Sequence, residues 1–585
     1  MTIVGESGRP TRTRGGGRRA RGATPLVPIV VFAEVVLALG LLIWAVSGSR
    51  LGWVALIVAA GISLMVIPWR GGASVSMSIA RRLGFEWARI RRDPADLASA
   101  PFDIPTGASP RSGSRAGTDA PPIGARWAGD MLITALRIRP GTVGATRLVA
   151  GSATPDDTPG MQVPLDVLAE CIDPFDIPLW SIDVVSHGSR IRGRGNAAAT
   201  YLPVLGRLPV TAQRGVLVIL RLDPRTCPEA IARRGGGAVG ALRAATITTR
   251  RVARRMSEHG LDVAALTAAE MTTITNHLTA GHDLGEIVED WAELRTPREH
   301  MRIAAVTPEA LPDVAAGIWA WPTAATTLTI RLTRTADGAL QVCGVVRLDD
   351  AAETDLPAGL QPLPGRQFDG LTVGLPVASP TRLYRRLPAA HGSRASVLLE
   401  RMTLSAGGCG QLIGADDAGR AVALPLVGAG VAVVALSGTQ TVVAQTILRT
   451  VAIGAPVRIH TDDPRRWLPL IEAVADPLML NLADTDHLPS TGARVDLFDG
   501  VAPPADSPPI GLTRYVRTPD DDVDARRIRS SADVIIRQNP LLPQQLSVST
   551  AHTRIQVTLV ATPAEWALIG AQPTGTTQLT GMAQR

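Results

Sequence analysis

The residues with the types and spacing to do chemistry are scattered along this chain. Val431 to Gln445 reads as a strand, a glycine turn and a helix, which is the layout of a phosphate-binding loop. Such a loop needs several glycines to present backbone N–H groups, then Lys and Ser or Thr. Here the turn is Ser437-Gly438-Thr439-Gln440, with one glycine and no lysine. The expectation is a plain strand-to-helix turn; the alternative is a nucleotide fold that has lost turnover. Arg233-Arg234-Gly235-Gly236-Gly237 has the composition of an anion cradle, but three glycines between helices read first as a hinge. Asp183 and His187 share one face of a strand, and no serine or cysteine elbow accompanies them. His277 and His282 miss the i,i+3 or i,i+4 spacing that a metal needs on one helix. Cys171, Cys227, Cys343 and Cys409 show no CxxC pairing, which argues against zinc and disulfides and fits a reducing compartment. No catalytic residue, cofactor-binding residue or metal ligand is assigned, and the chain reads as a non-enzyme.

Composition reinforces this. All 59 basic residues are arginine. The chain therefore has no Schiff-base lysine, no phosphate-loop lysine and no lysine base. Aromatics make up 3%, so cores must be built from Ala, Val, Leu and Ile. The net charge is +7, and residues 1–92 alone carry 13 arginines against three glutamates. The remainder is slightly acidic, which argues against nucleic-acid binding by a broadly basic surface. The helix Ala241 to Ser257 is a local exception, with Arg243, Arg250, Arg251, Arg254 and Arg255. It reads as a solvated or partner-facing helix, because no aromatic residues interleave the arginines for base stacking.

The elements that would position such residues begin with two apolar runs, Pro25 to Val46 and Leu51 to Trp69. Each is near the ~20 residues that span a hydrocarbon core as a helix. They are expected to form a transmembrane hairpin. A signal peptide does not fit, since two runs follow in tandem without a small-residue cleavage site. Arginines flank the pair on both outer sides and only Arg50 sits in the turn. The positive-inside bias then places both termini in the cytoplasm. Glu34 inside the first run reads either as a helix–helix or subunit contact or as a snorkelling side chain. Gly40 and Gly61 are small residues suited to close helix packing. Ser76 to Arg92 reads as a basic amphipathic helix, with Arg81, Arg82, Arg89, Arg91 and Arg92 suited to anionic headgroups or a partner.

The expected organisation is a basic tail (1–23), the hairpin (24–70), the amphipathic helix and a Pro/Gly/Ser-rich linker (71–122), an α/β domain (123–400) and a C-terminal α/β domain (401–585). The last is expected to be Rossmann-like or degenerate P-loop-like. Strands are expected at Ile123 to Trp127, Met131 to Ile138, Ile177 to Val185 and Arg214 to Leu222. Helices are expected at Val163 to Asp173, on both sides of Gly235-Gly236-Gly237, at Thr267 to Ala280 and at Leu284 to Leu294. Thr327 to Thr333 and Leu340 to Leu348 read as strands, and Leu356 to Ala378 as loop.

Read in order, PIGARWAGDMLITALRIRP, PLDVLAECIDPFDIPLWSIDVVSHGSR, GRLPVTAQRGVLVILRLDP and EAIARRGGGAVGALRAATITTRRVARRMSEHGL behind an arginine-flanked hairpin resemble the EccE family of type VII (ESX) secretion. The resemblance is best over Ile123 to Leu261. Pro105 to Ala120 departs from the family in length and composition. The resemblance implies a non-enzymatic inner-membrane subunit that contributes to assembly beside EccB, EccC, EccD and a mycosin protease, with ATP hydrolysis left to EccC-type subunits. It supplies no catalytic residue to carry over. The competing functions are a membrane-tethered enzyme that binds a nucleotide or nucleotide sugar, and a tethered nucleic-acid binder using Arg243 to Arg255.

Overall fold

A computed structural model of the chain describes residues 26–570, apart from 48–49, 67–81, 87–98, 105–120, 140, 142–143, 149–161, 174–175, 193–194, 298, 352–354, 379–386, 429, 484–492, 510 and 519–522. The chain divides into two compact units, Met1–Arg92 and Asp93–Arg585.

In the first unit, α1 (Leu26–Ser47) and α2 (Arg50–Val66) pack as a hairpin. The two-span membrane topology is not supported. Among the described residues, no helix is long and apolar enough to cross a membrane. The tail, most of the linker and most of the expected amphipathic helix lie outside the described residues; within the linker, Phe102–Ile104 forms a short strand paired antiparallel with Ile123 to Ala125, so that stretch is sheet rather than loop. Of that helix, residues 82–86 are described and are helical.

The second unit is built on two large sheets. The first contains β1 (Ile123–Ala128), β2 (Met131–Ile138), β3 (Ser181–Ser189), β4 (Gln213–Leu222), β5 (His300–Val306), β6 (Ala325–Arg334) and β7 (Leu340–Asp349). Their spatial order is β1-β2-β4-β3-β6-β7-β5, antiparallel throughout. Both faces are covered. Val216, Val218, Leu220 and Leu222 face one core, while Leu217 and Ile219 face the other. This explains why β4 reads as a nearly continuous apolar run. Helices α3 (Leu165–Glu170), α5 (Pro228–Arg233) and α6 (Gly237–Ser257) contribute to the first core; α7 (Ala268–Leu278) and α8 (Gln367–Val373) contribute to the second. The inner face of α6 is Gly240, Ala241, Ala244, Ala245, Thr248, Thr249, Val252 and Met256. These small residues let the helix approach β2 closely enough for the Thr134 and Thr249 hydroxyls to hydrogen-bond at 2.7 Å.

Two expectations fail in this region. Leu284 to Leu294 does not form a helix. It contributes two short strands, Val288–Glu289 and Leu294–Arg295, which extend the sheet beyond β5. The loop expected at Leu356 to Ala378 contains α8, which is almost wholly buried.

The second sheet contains β8 (Gln411–Ala415), β9 (Ala421–Leu424), β10 (Val433–Ser437), β11 (Val457–Thr461), β12 (Leu480–Leu482), β13 (Arg494–Asp499), β14 (Leu512–Arg517), β15 (Val534–Gln538), β16 (Gln545–Thr550) and β17 (Arg554–Leu559). Its order is β12-β11-β13-β14-β10-β15-β16-β17-β8-β9, closed at one edge by the distant strand Thr146–Leu148. The pairs from β12 to β15 are parallel. From β15 onward they are antiparallel. Helix α9 (Gln440–Ala452) links β10 to β11 and is buried from Val442 to Ala452. The chain is thus a mixed α/β protein with large sheets. Neither a Rossmann-like nor a P-loop-like assignment follows from that architecture alone.

Helix α4 (Gly195–Leu205) leaves the first sheet and packs against α9 of the second. Its Tyr201 hydroxyl accepts a hydrogen bond from the Leu412 N–H at 2.8 Å.

Buried charge fastens each layer. In the first sheet, Asp183 on β3 accepts from Arg221 Nε on β4 at 2.8 Å and is also paired with Arg331 on β6. Burial alone would raise the Asp183 pKa, but the two guanidiniums offset this and hold it below the usual carboxylate range. Replacing Asp183 with Asn leaves two buried guanidiniums without a counter-charge. We expect Asp183→Asn to destabilise the protein by about 3–5 kcal/mol. Asp262→Asn, at the exposed Arg139 pair, is expected to change stability by at most about 1 kcal/mol. Unfolding of the two variants against the parent checks this contrast.

Candidate functional sites

In the hairpin, small residues bring α1 and α2 together. A Cβ placed on Gly40 would lie 2.5 Å from the Ala59 Cβ, so only glycine fits that crossing. Trp44 and Trp53 meet edge to face with ring centroids 5.4 Å apart. Gly61 has open space around its Cβ position and takes no part in the crossing. The outward surface is apolar: Val35, Leu39, Leu42, Val46, Ile57 and Val58 are all exposed. Glu34 is exposed on α1. Arg82 is exposed in the helical stretch 82–86, next to the buried Phe85. Arg81, Arg89, Arg91 and Arg92 lie outside the described residues.

In the second unit, a cavity of about 1550 Å³ opens where Gly438, Asp499, Thr518 and Gln538 follow or end parallel strands. Ligands of open parallel sheets bind at the carboxyl ends of the strands. Here protein side chains already occupy the polar positions. Thr439, the cap of α9, donates its backbone N–H to the Gln538 side-chain oxygen at 2.7 Å. Arg517 donates to Gln440 at 2.8 Å and to Asp499 at 3.2 Å. Asp499 also accepts from Arg466 at 3.0 Å and from Trp467 Nε1 at 2.9 Å. The Ser437 and Thr518 hydroxyls hydrogen-bond to each other at 2.7 Å. The Ser437-Gly438-Thr439-Gln440 turn is thus tied to its neighbours. Gln538 and Asp499 carried no signal in the sequence, because their partners lie on other strands.

The remaining sequence candidates are used structurally. Asp183 is held by two arginines, while His187 on the same strand bonds the Thr327 hydroxyl at 2.9 Å. The imidazoles of His187 and His277 meet edge to face at 5.4 Å. His282 pairs with Glu286 at 3.7 Å. Among the described residues, no group of three His, Cys, Asp or Glu side chains could hold a metal. All four cysteines are free and buried. Burial pushes the Cys343 thiol up to about 12, and it raises the other three as well. These thiols are protonated and poorly nucleophilic. At the triple glycine, Gly235, Gly236 and Gly237 all have positive φ, which glycine adopts freely. Arg233 and Arg234 both reach Asp176 at 2.9 Å, so a protein carboxylate already serves them.

His187 gives a pH signature. Burial, then the charges of Arg347 and its neighbours, hold its pKa well below the ordinary value. The unfolded chain therefore takes up the proton first as pH falls below about 6.5. The stability tied to neutral His187 is present above that pH and is lost on acidification toward the lowered folded value. We expect His187→Asn, which keeps a group able to bond Thr327, to lose less thermal stability than the parent between about pH 7.5 and about pH 5. Parallel melting curves at the two pH values check this.

Comparison with known proteins bears on what these surfaces serve. The family described as "Putative type VII ESX secretion system translocon, EccE" matches residues 210–304, from the end of the α4 region to β5. The chain is 29% identical over 293 residues to the ESX-1 secretion system protein EccE1 of Mycobacterium tuberculosis, covering 49% of this chain and 56% of that protein. It thus spans little more than half the length of that relative. It is 24% identical over 515 residues to the ESX-2 secretion system protein EccE2 of M. tuberculosis, covering 88% of this chain and 84% of the relative. It is 25% identical over 352 residues to the ESX-5 secretion system protein EccE5 of Mycobacterium marinum, covering 57% and 82% respectively. Over the matched domain and these longer alignments, the chain is similar to EccE proteins of type VII (ESX) secretion systems.

Proposed function

We propose that the chain is a non-enzymatic subunit of an ESX secretion complex, contributing to its assembly or stability. The observation that carries this reading is the EccE match over residues 210–304, within longer similarity to ESX proteins. The hairpin of α1 and α2 associates with the membrane through its exposed apolar surface. Glu34, Gly61 and Arg82 are the contact residues offered to lipid or neighbouring subunits. Arg81, Arg89, Arg91 and Arg92 extend that basic segment toward anionic headgroups. The partners are EccB-, EccC- and EccD-like subunits and a mycosin, with nucleotide chemistry left to the EccC-like subunit. The internal bonding of the carboxyl-end crevice and the protonated thiols support a subunit without its own reaction.

The experiment is a mild-detergent purification of the tagged full-length chain from native membranes, with mass spectrometry of the proteins that accompany it. Recovery of the ESX subunits in one complex is expected. Recovery of the chain alone, with a melting temperature raised by ATP or a nucleotide sugar through ligand linkage, would replace this reading with the nucleotide-binding enzyme. In the same assay, Glu34→Leu is expected to reduce subunit recovery while leaving the chain in the membrane fraction. Gly40→Leu is expected to reduce recovery by splaying the hairpin, since the side chain would strike Ala59. Gly61→Leu has room within the hairpin. A recovery defect there would report a contact with another subunit.

A further inference from the structure

The outward face of α6 is a straight basic stripe. Val239, Arg243, Ile247, Arg250 and Arg254 are all exposed, at positions i, i+4, i+8, i+11 and i+15. At about 100° per residue, they fall within an arc of about 80°. The opposite face is buried on the sheet, so the helix cannot turn this stripe away from solvent. Five arginines and no acidic residue lie within its 21 residues. Like charges one turn apart, such as Arg250 and Arg254, repel and weaken a helix. At its C-terminal end Arg254 meets Glu258, and Arg255 meets Glu170 and Glu258, while Arg243 donates to the Arg234 backbone oxygen at 2.9 Å. Arg243 and Arg250 face solvent.

We infer that this stripe is a docking surface for an acidic amphipathic helix of a partner protein. Charge complementarity selects an acidic occupant. The two aliphatic side chains on the line, Val239 at 54% and Ile247 at 38% exposure, provide apolar contact that a nucleic-acid backbone would not use. Glu170 and Glu258 stand at the stripe's C-terminal end, both well exposed. A broad anionic bilayer would meet those carboxylates along with the arginines; a single helix laid along the stripe need not. The partner helix is expected to carry Asp or Glu about every turn on either side of a small apolar seam. This inference rests on the secretion-subunit reading, because the partner is sought within that complex.

The test uses the full-length chain in native membranes. Arg243→Glu, Arg250→Glu and Arg254→Glu are combined, and Arg401→Glu is the control at an exposed arginine elsewhere. The triple variant is expected to lose about tenfold in recovery of one accompanying subunit, which corresponds to about 1.4 kcal/mol. Its melting temperature is expected to match the parent's, and the control is expected to recover the subunit normally. Replacing the same three residues with Lys is expected to restore recovery, since stripe and charge persist. A photo-crosslinker attached at Ile247→Cys is expected to capture an acidic helical segment of that subunit. If the parent brings down ESX subunits and the triple variant brings them down equally, the docking inference is overturned and the secretion reading stands. If the parent brings down none, the secretion reading itself fails. If recovery is unchanged but flotation with vesicles containing phosphatidylglycerol is lost, the stripe is a lipid contact and the inference is likewise overturned. Salt-sensitive binding of duplex DNA, lost in the variant with subunit recovery unchanged, would overturn it in favour of nucleic acid.

Discussion

The first sheet depends on a carboxylate placed where no carboxylate can stand alone. Asp183 is fully buried in the middle of β3, between Arg221 of β4 and Arg331 of β6. Its two oxygens therefore bind both neighbouring strands at once. Arg221 continues outward, donating to the backbone oxygens of Leu375 and Val377 just beyond α8. Arg331 lies over the Trp180 ring with its guanidinium carbon 5.0 Å from the centroid. One charged cluster thus fixes strand order, register and the chain segment after α8. Antiparallel strands with apolar faces are prone to slip, and a shift by one residue exchanges the two faces. Such a slip would strand the carboxylate and both guanidiniums in an apolar core, which is far more costly than misplacing a valine.

The same device recurs because of composition. A chain poor in aromatics has few large side chains to fill the space between layers, and this chain uses arginine. Arg190, Arg221, Arg331 and Arg449 rank beside Trp467, Tyr201 and Tyr515 as the largest fully buried side chains. Each must find acceptors for its donors. Arg190 donates to the backbone oxygens of Trp321, Gly206 and Leu208, and burial lowers its pKa to about 10. Arg449 on α9 pairs with the buried Glu565 of α11 (Pro563–Leu568) and also donates to the Leu412 oxygen. It therefore ties the central helix of the second sheet to the last helix described and to β8. Lysine, a point charge on a flexible stem, would not serve several carbonyls in a plane as guanidinium does.

Much of this fold could be read from the sequence wherever the signal was local. The turn at Gly129-Asp130 with alternating flanks foretold β1 and β2. The apolar run at Val216 to Leu222 foretold a central strand, and the triple glycine foretold the break between α5 and α6. The progression from β10 through the turn into α9 was also legible. What the sequence did not reveal was set by distant partners. Leu284 to Leu294 has helical composition, yet its pieces pair with the edge of β5, and tertiary pairing outweighs propensity. Thr146–Leu148 is too short to announce itself and joins β9, hundreds of residues later in the chain. The buried pairs follow no motif, since Asp183 with Arg331 and Arg449 with Glu565 are defined only after folding. Within the hairpin, a Cβ on Gly40 would meet that of Ala59, whereas Gly61 has open space around its Cβ position.

These observations constrain where function can lie. A reacting group must be reachable and must keep bonding capacity for a ligand. Asp183 and Glu565 have given theirs to arginine, His187 to Thr327, and Asp499 to Arg466, Arg517 and Trp467. The thiols are buried and protonated. These buried groups hold layers together. Among the described residues, the open features include the crevice at the carboxyl ends of the parallel strands, the apolar exterior of the hairpin and the basic stripe of α6. Surfaces of opposite character on separate units suit a component that acts by contact. A helix whose buried face is fixed by small residues against a sheet fixes the backbone positions from which its arginines project, so docking need not order the helix itself. The same packing that holds the small-residue face of α6 against the sheet sets the spacing of its exposed arginines.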